Sequence, residues 1–409
     1  MAGHGIGAAS AALAAIDGGA RLWDDGGLWR TPSTASLYQW KWPLRVAAWL
    51  TFPLGTAALA VALWPDPVPA VVQWLPLTML LAIVGVLAAA VVFEGSHATA
   101  KRRAEGPWWW RLAGAPLDSA AAKDLVTRTI WQLVRGGDQA DHPEASKAGH
   151  RYAEVLAEGL GQPGFRELML IATDMDARRD VVAAMLREPY RRDFMVSKGE
   201  RDRRSEVLDL AGLGREHALD IAGGAMTPPG CEPHLVTFGV ESFWRGETHR
   251  LCNRAGSVSR LLEELAAAGV SQAVIVSAVA APAVPHRLSV PRLDLRHRLG
   301  DAIAAAESAS LRDAMEMARL RFDSLYLICP AHNPVGAFDF SGAYDEASDR
   351  RQEIQELMER AYEDAYRQFI EPVVGASGEH LARQGAGDLD VSGGQAYVTG
   401  ILDDGDPSR

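Results

Sequence analysis

Two adjacent apolar runs constrain this chain more than any other feature. Leu44 to Trp64 reads LRVAAWLTFPLGTAALAVALW and Val71 to Phe93 reads VVQWLPLTMLLAIVGVLAAAVVF. After Arg45 no charge interrupts either run until Glu94, and the single exception, Asp66, lies in the break between them. Each run has about the 20 residues that a helix needs to cross a hydrocarbon core. The break Pro65-Asp66-Pro67-Val68-Pro69 cannot continue a helix and predicts a short turn. Trp40, Trp42, Trp49, Trp64 and Trp74 fall near the ends, where interfacial aromatics sit. The competing reading is a hairpin buried in the core of a soluble domain. Lys41 and Arg45 precede the first run, Lys101, Arg102, Arg103 and Arg111 follow the second, and the break has no Lys or Arg. The positive-inside rule therefore predicts an integral membrane hairpin, with spans at about 44–64 and 71–93 and both ends cytoplasmic. Pro107-Trp108-Trp109-Trp110-Arg111 reads as a collar lying on the membrane surface.

Composition limits the partners. A net charge of -11 is the wrong sign for a nucleic-acid surface, whereas the hairpin predicts membrane lipid as a partner. Cys231, Cys252 and Cys329 are scattered, with no spacing that suggests a disulfide framework or a metal site, so no cofactor or metal is expected. The opening MAGHGIGAASAALAAIDGG has no basic segment ahead of an apolar run. It reads as part of the fold and not as a signal peptide.

Past Pro116 the pattern changes to soluble α/β. Residues 120–134 have helical spacing. Glu167 to Thr173, ELMLIAT, is a continuous apolar run that suits a strand buried on both faces. His234 to Phe243 reads as a strand or hairpin arm. Residues 259–268, 302–319 and 348–369 read as helices, and AVIVSA (273–278) and SLYLIC (324–329) as two more buried strands. This alternation predicts one mainly parallel sheet holding all three buried strands, with helices on both faces. The expected organisation is an N-terminal turn and helix (1–40), a transmembrane hairpin (41–103), the remaining α/β domain (104–380) and a disordered Gly/Asp-rich tail (381–409).

Residues Gly3 to Gly7, GHGIG, make a glycine-punctuated turn into a helix of small residues. Gly3-His-Gly-Ile-Gly-Ala8, Glu167-Leu-Met-Leu-Ile-Ala-Thr-Asp-Met-Asp176, Ala222-Gly-Gly-Ala-Met-Thr-Pro-Pro229, Leu251-Cys-Asn-Arg-Ala-Gly256 and Leu325-Tyr-Leu-Ile-Cys-Pro330 follow one another in an order that resembles the patatin-like phospholipase family. The second of these, similar to that family's A-T-D-L-D strand end, is the most specific. The resemblance covers residues 3 to about 30 and about 105 to 375, and it implies a three-layer α/β fold into which the hairpin is inserted. It also implies a nucleophile elbow, G-x-S-x-G, at the opening turn, placed at the C-terminal edge of the sheet.

The departures carry the functional expectation. The family's reaction needs a serine to attack an ester carbonyl and an aspartate to take its proton. Gly5 stands at the serine position and Asn253 at the aspartate position, and a carboxamide is no base at neutral pH. The family's glycine-rich oxyanion loop, with the strand before it, is not in the sequence as given, and an N-terminal extension is one place to expect it. The expected protein is thus a catalytically degenerate, membrane-anchored member that binds lipid, acyl groups or a protein partner. Two alternatives are an active acyl hydrolase with its machinery elsewhere and a membrane scaffold.

Other residues compete for a role. His4 is at the elbow and Ser10 one helical turn beyond it, each with a local structural reading. Asp174 and Asp176 end the buried strand, where parallel sheets place functional groups, but strand-end capping explains them too. His332 follows the third strand and is either a pocket group or a loop residue. Asp17-Gly18-Gly19 reads as a helix stop. Ser96 and His97 are sequence neighbours and make no triad.

Overall fold

The computed structural model describes residues 1–24, 27–31, 37–64, 69–94, 115–136, 144–196, 203–239, 244, 246–279, 295–340, 342–345 and 348–375. In chain order its elements begin with β1 (Ala2–Gly3), α1 (Gly7–Asp17), α2 (Ala20–Trp23), β2 (Gln39–Trp40), α3 (Trp42–Ala62), α4 (Ala70–Glu94) and β3 (Leu117–Asp118). Then come α5 (Ala120–Val134), α6 (Ala145–Gly159), β4 (Leu168–Asp174), β5 (Arg179–Met185), α7 (Tyr190–Val196), β6 (Ser205–Asp209) and α8 (Ala218–Ala225). The last part holds β7 (His234–Thr237), β8 (Thr248–Cys252), α9 (Ser257–Ala267), β9 (Gln272–Val276), α10 (Leu295–Ala318), β10 (Ser324–Ile328), β11 (Ala343–Asp345), β12 (Arg350–Gln352) and α11 (Ile354–Ala365). The collar at 107–111, the basic cluster at 101–103, the break at 65–68, Ser96 and His97, and the tail at 381–409 lie outside the described residues.

The chain forms two compact units, one of Tyr38–Ala121 with Gly230–Glu232 and the other of the remainder. In the first, α3 and α4 pack on each other and are long and apolar enough to cross a membrane, with only 6% of each apolar window buried. Trp49 is 79% exposed and Phe52 76%, so these side chains face outward and the soluble-core reading of the hairpin does not describe them. Pro53 and Pro76 lie within the helices, each removing one N–H that would have bonded the carbonyl four residues earlier. At the base of the hairpin, β2 pairs antiparallel with β3, Trp40 opposite Leu117.

The second unit is a mixed α/β structure around a sheet ordered β6-β5-β4-β8-β7, with β1 also on β4. Residues Leu168 to Ala172 of β4 are all buried. Met169 and Ile171 pack with Val182, Ala184, Phe194 and Leu261 under α7 and α9. On the other side α8 lies so near Ala172 and Leu251 that a Cβ on Gly224 would come within 2.6 Å of Leu251 Cβ; α1 and α6 pack against α8.

Three expectations need correction. The sheet is mixed: β1–β4 and β5–β6 are parallel, while β4–β5, β4–β8 and β7–β8 are antiparallel. The reason is local, because Asp174 to Arg179 turn the chain straight back, with Arg178 at φ 56°, and no crossover helix intervenes. Nor do the three buried strands share one sheet. β9 and β10 pair with each other, in parallel, as a separate two-stranded sheet. One face of this pair packs on Leu262, Ala314, Met315 and Ala318 of α9 and α10, and Val274 and Val276 are exposed. A continuous apolar run had implied cover on both faces. The helix expected over 348–369 also starts later, at Ile354, because residues 350–352 form β12.

Candidate functional site

β1 ends at Gly3, opposite Leu170 of β4, and the chain turns through His4, Gly5 and Ile6 into α1. Both glycines are required, for different reasons. A Cβ at Gly3 would sit 2.5 Å from Ala8 Cα, so the strand and the helix approach too closely for any side chain. Gly5 has φ +58°, a left-handed conformation that L-residues adopt at a penalty. Ala8 and Ala9 donate back to the carbonyls of Gly5 and Ile6 at 3.1 and 3.2 Å, closing the first helical turn. Alanines 8, 9, 11, 12, 14 and 15 and Leu13 are buried, so small side chains let α1 lie close to its neighbours. The buried Tyr152 hydroxyl donates to the Ala12 carbonyl at 2.7 Å, and burial raises its pKa. Ser10 accepts from Trp29 Nε1 at 3.1 Å and serves packing. Gly18 has φ 69° and donates to the Ala14 carbonyl, while Asp17 accepts from the Gly19 and Arg21 amides. That segment is a helix stop.

Asn253 lies against the apex of the turn. It follows β8, is 8% exposed, and its backbone N–H donates to the Thr227 carbonyl at 2.7 Å. Its Nδ2 is 3.2 Å from where a Cβ on Gly5 would stand, nearer than Cγ at 3.8 Å or Oδ1 at 3.9 Å. The two positions singled out in the sequence are therefore neighbours in space. His4 fixes this approach, with its Nε2 2.9 Å from the Arg254 carbonyl oxygen. Burial lowers the His4 pKa, and the Arg254 carbonyl partly opposes that shift. A third group, absent from the sequence reading, completes the cluster. On Glu307 of α10, burial holds the carboxyl above the usual range, with an interaction from the Asn253 side chain working the other way.

Beneath the turn, Asp180 of β5 gathers the ends of β4 and α9. Thr173 Oγ1 donates to its Oδ1 at 2.6 Å, Ser257 Oγ to the same oxygen at 2.8 Å, and Arg254 Nη2 to Oδ2 at 2.6 Å. Ser257 and Asp180 are a serine–aspartate pair by distance, yet Ser257 is 1% exposed and Arg254 already pairs with the carboxylate. A buried hydroxyl beside a neutralised base offers no attack on a carbonyl; this cluster holds the Asn253–Ser257 loop.

The remaining candidates point elsewhere. Asp174, fully buried, accepts from the Asp176 and Ala177 amides and binds His249 Nδ1 at 2.5 Å. Asp176 pairs with Arg250, whose hydrogen bond holds the carboxylate below its usual range. Both shape the β4–β5 turn and the β8 edge. His332 bonds buried Asp345 at 2.8 Å, in a cluster with Ser348 and Gln352. None of these contacts involves Gly5 or Asn253.

The turn thus presents an apex with no side chain, flanked by the Asn253 carboxamide. It can hold an oxygen atom by hydrogen bonds, but among the described residues no hydroxyl or thiol is placed at the apex to attack one. Comparison with protein-family models, with curated proteins and with solved structures returns no match.

Proposed function

We propose that this chain is a membrane-anchored protein of patatin-like lipid acyl hydrolase ancestry that has lost its nucleophile and acts by binding an acyl lipid. The observation that carries this reading is the elbow itself. Gly5 keeps the left-handed φ of +58° between a strand and a buried helix, and the Asn253 carboxamide stands against it. The patatin-like motif order leads one to look for a serine and an aspartate at these two positions; the chain has a glycine and an asparagine. A turn that only glycine adopts without penalty, packed to this degree, serves recognition when it no longer serves attack. What weighs against the ancestry is the separation of β9 and β10 from the central sheet.

The two exposed apolar helices support an anchor, and the flanking Lys and Arg residues support cytoplasmic ends. Lipid at the inner leaflet is then the ligand within reach. The purified full chain in detergent should bind monooleoylglycerol, resist labelling by a fluorophosphonate that traps an activated serine, and leave phospholipid and short-chain esters intact. Robust turnover by the unmodified chain would overturn the degenerate reading in favour of an active hydrolase; absence of any acyl-lipid binding would favour a scaffold.

A further inference from the structure

The last described helices hold on to the protein by side-chain hydrogen bonds more than by a core. α11 ends at Ala365 and runs directly into a helical stretch at Tyr366–Gly375. No side chain described in either is buried, and Tyr362, Tyr366 and Ile370 are exposed. α11 also lies against residues 28–30. The main attachment is at the end of β10. Ile328 turns its carbonyl toward β9, where the Ser277 N–H donates to it at 2.9 Å. In a ladder the next residue points its backbone groups to the other side, and there Cys329 meets Gln368. The Cys329 N–H donates to Gln368 Oε1 at 3.2 Å, and Gln368 Nε2 donates to the Cys329 carbonyl at 2.8 Å. One carboxamide thus supplies the acceptor and the donor that a third strand would supply. One turn earlier, Asp364 Oδ2 accepts from the Ala331 amide at 3.0 Å. Phe369 meets the Tyr326 ring edge-on, with centroids 5.4 Å apart. Cys329 is buried; burial pushes its thiol up, and the charge of Asp364 adds to this.

We propose that residues 364–375 are a releasable strap, which closes the outer edge of β10 by standing in for a strand and opens as a unit to uncover the Cys329 end of the β9–β10 pair. An open strand edge is a template for unwanted pairing, so the closed strap has a protective role. Its hold is weak by design of its contacts. A segment with few buried apolar side chains opens locally at a cost well below that of global unfolding. The end it covers is the C-terminal end of two parallel strands, where such units carry their functional groups. Cys329 and the half-exposed His332 lie on the segment leaving β10 there. The strap stands apart from the acyl-binding reading and survives its failure.

The test uses the full chain in detergent micelles, with N-ethylmaleimide as the probe and mass spectrometry to read adducts residue by residue. In the unmodified chain Cys329 should label before the buried β4 amides exchange with deuterium, because those amides wait for global unfolding. Q368A removes both bonds to Cys329, a loss worth about tenfold in the opening equilibrium. Cys329 should then label about tenfold faster, while the melting temperature and β4 exchange stay as in wild type. D364A should act in the same direction. E371Q, on the same stretch and bonded to nothing on β10 among the described residues, should leave the rate unchanged. If Q368A melts lower, the unmodified chain decides: the Cys329 and Ala331 amides, held by the strap, should exchange ahead of the β9–β10 ladder. Equal labelling of Q368A and wild type overturns the strap. So does Cys329 labelling that rises only in step with β4 exchange, or strap-held amides that exchange no earlier than the ladder.

Discussion

Substituting Gly5→Ser places a hydroxyl at the apex of the opening turn, and the structure sets what it does. The φ of +58° costs a non-glycine residue about 1–2 kcal/mol. The new Cβ would stand 3.2 Å from Asn253 Nδ2, so the carboxamide must yield by a few tenths of an ångström. A penalty of about 2 kcal/mol lowers the melting temperature by about 3 °C for a unit of roughly 300 residues. Gly7→Ala is the internal control, because a Cβ there meets nothing within 4 Å and alanine favours the helix. Thermal unfolding followed by tryptophan fluorescence in detergent should rank Gly7→Ala at or above wild type and Gly5→Ser clearly below. The serine variant should also fail to label with a fluorophosphonate, because Asn253 cannot take its proton and groups of this kind act as a unit. A Gly5→Ser protein as stable as wild type would refute the argument from the left-handed Gly5 backbone. Strong labelling would show that a base is present at the apex.

If α3 and α4 span a bilayer, the protein sediments with membranes and resists alkaline and high-salt extraction, and complete release by salt would sink the anchor. Asp220 is held at about 2 by a balance: burial alone raises it, but the bonds from His217 and His234 outweigh that. Its folded value lies below its unfolded one, so it contributes stability above pH 4 that is lost as pH falls toward 2. Asp220→Asn should cost about 2 kcal/mol at neutral pH and flatten acid unfolding between pH 4 and 2; an unchanged acid profile would contradict this.

Patterns that report burial were legible in the sequence. The ELMLIAT run became β4, the alanine-rich segment became a buried helix, and residues 120–134 became α5. Pairing partners were not, because an apolar run records how a strand is covered and says nothing of which strand lies beside it. Hence β9 and β10 were read into the central sheet. The nearness of Asn253 to Gly5 came from motif order, since no local pattern links residues so far apart. Glu307 was missed because one acid on a helix reads as part of a solvated face; its signal was being the only charge in AIAAAESASL. Asp180 went unnoticed likewise, at the head of the apolar VVAAM.

The pairing of β2 with β3 has a consequence for how such a chain arises. Gln39 lies opposite Asp118 and Trp40 opposite Leu117, and Leu117 also bonds to Gly230 and Glu232. The segment carrying the apolar helices therefore has its two ends side by side, as a hairpin loop does. A segment with neighbouring ends can be exchanged for a turn of a few residues without moving the strands that flank it. Joining Trp40 to Leu117 through Asn-Gly is such an exchange. The apolar hairpin is in this sense a detachable cassette, exchangeable while the Gly3–Gly7 turn stays as it is.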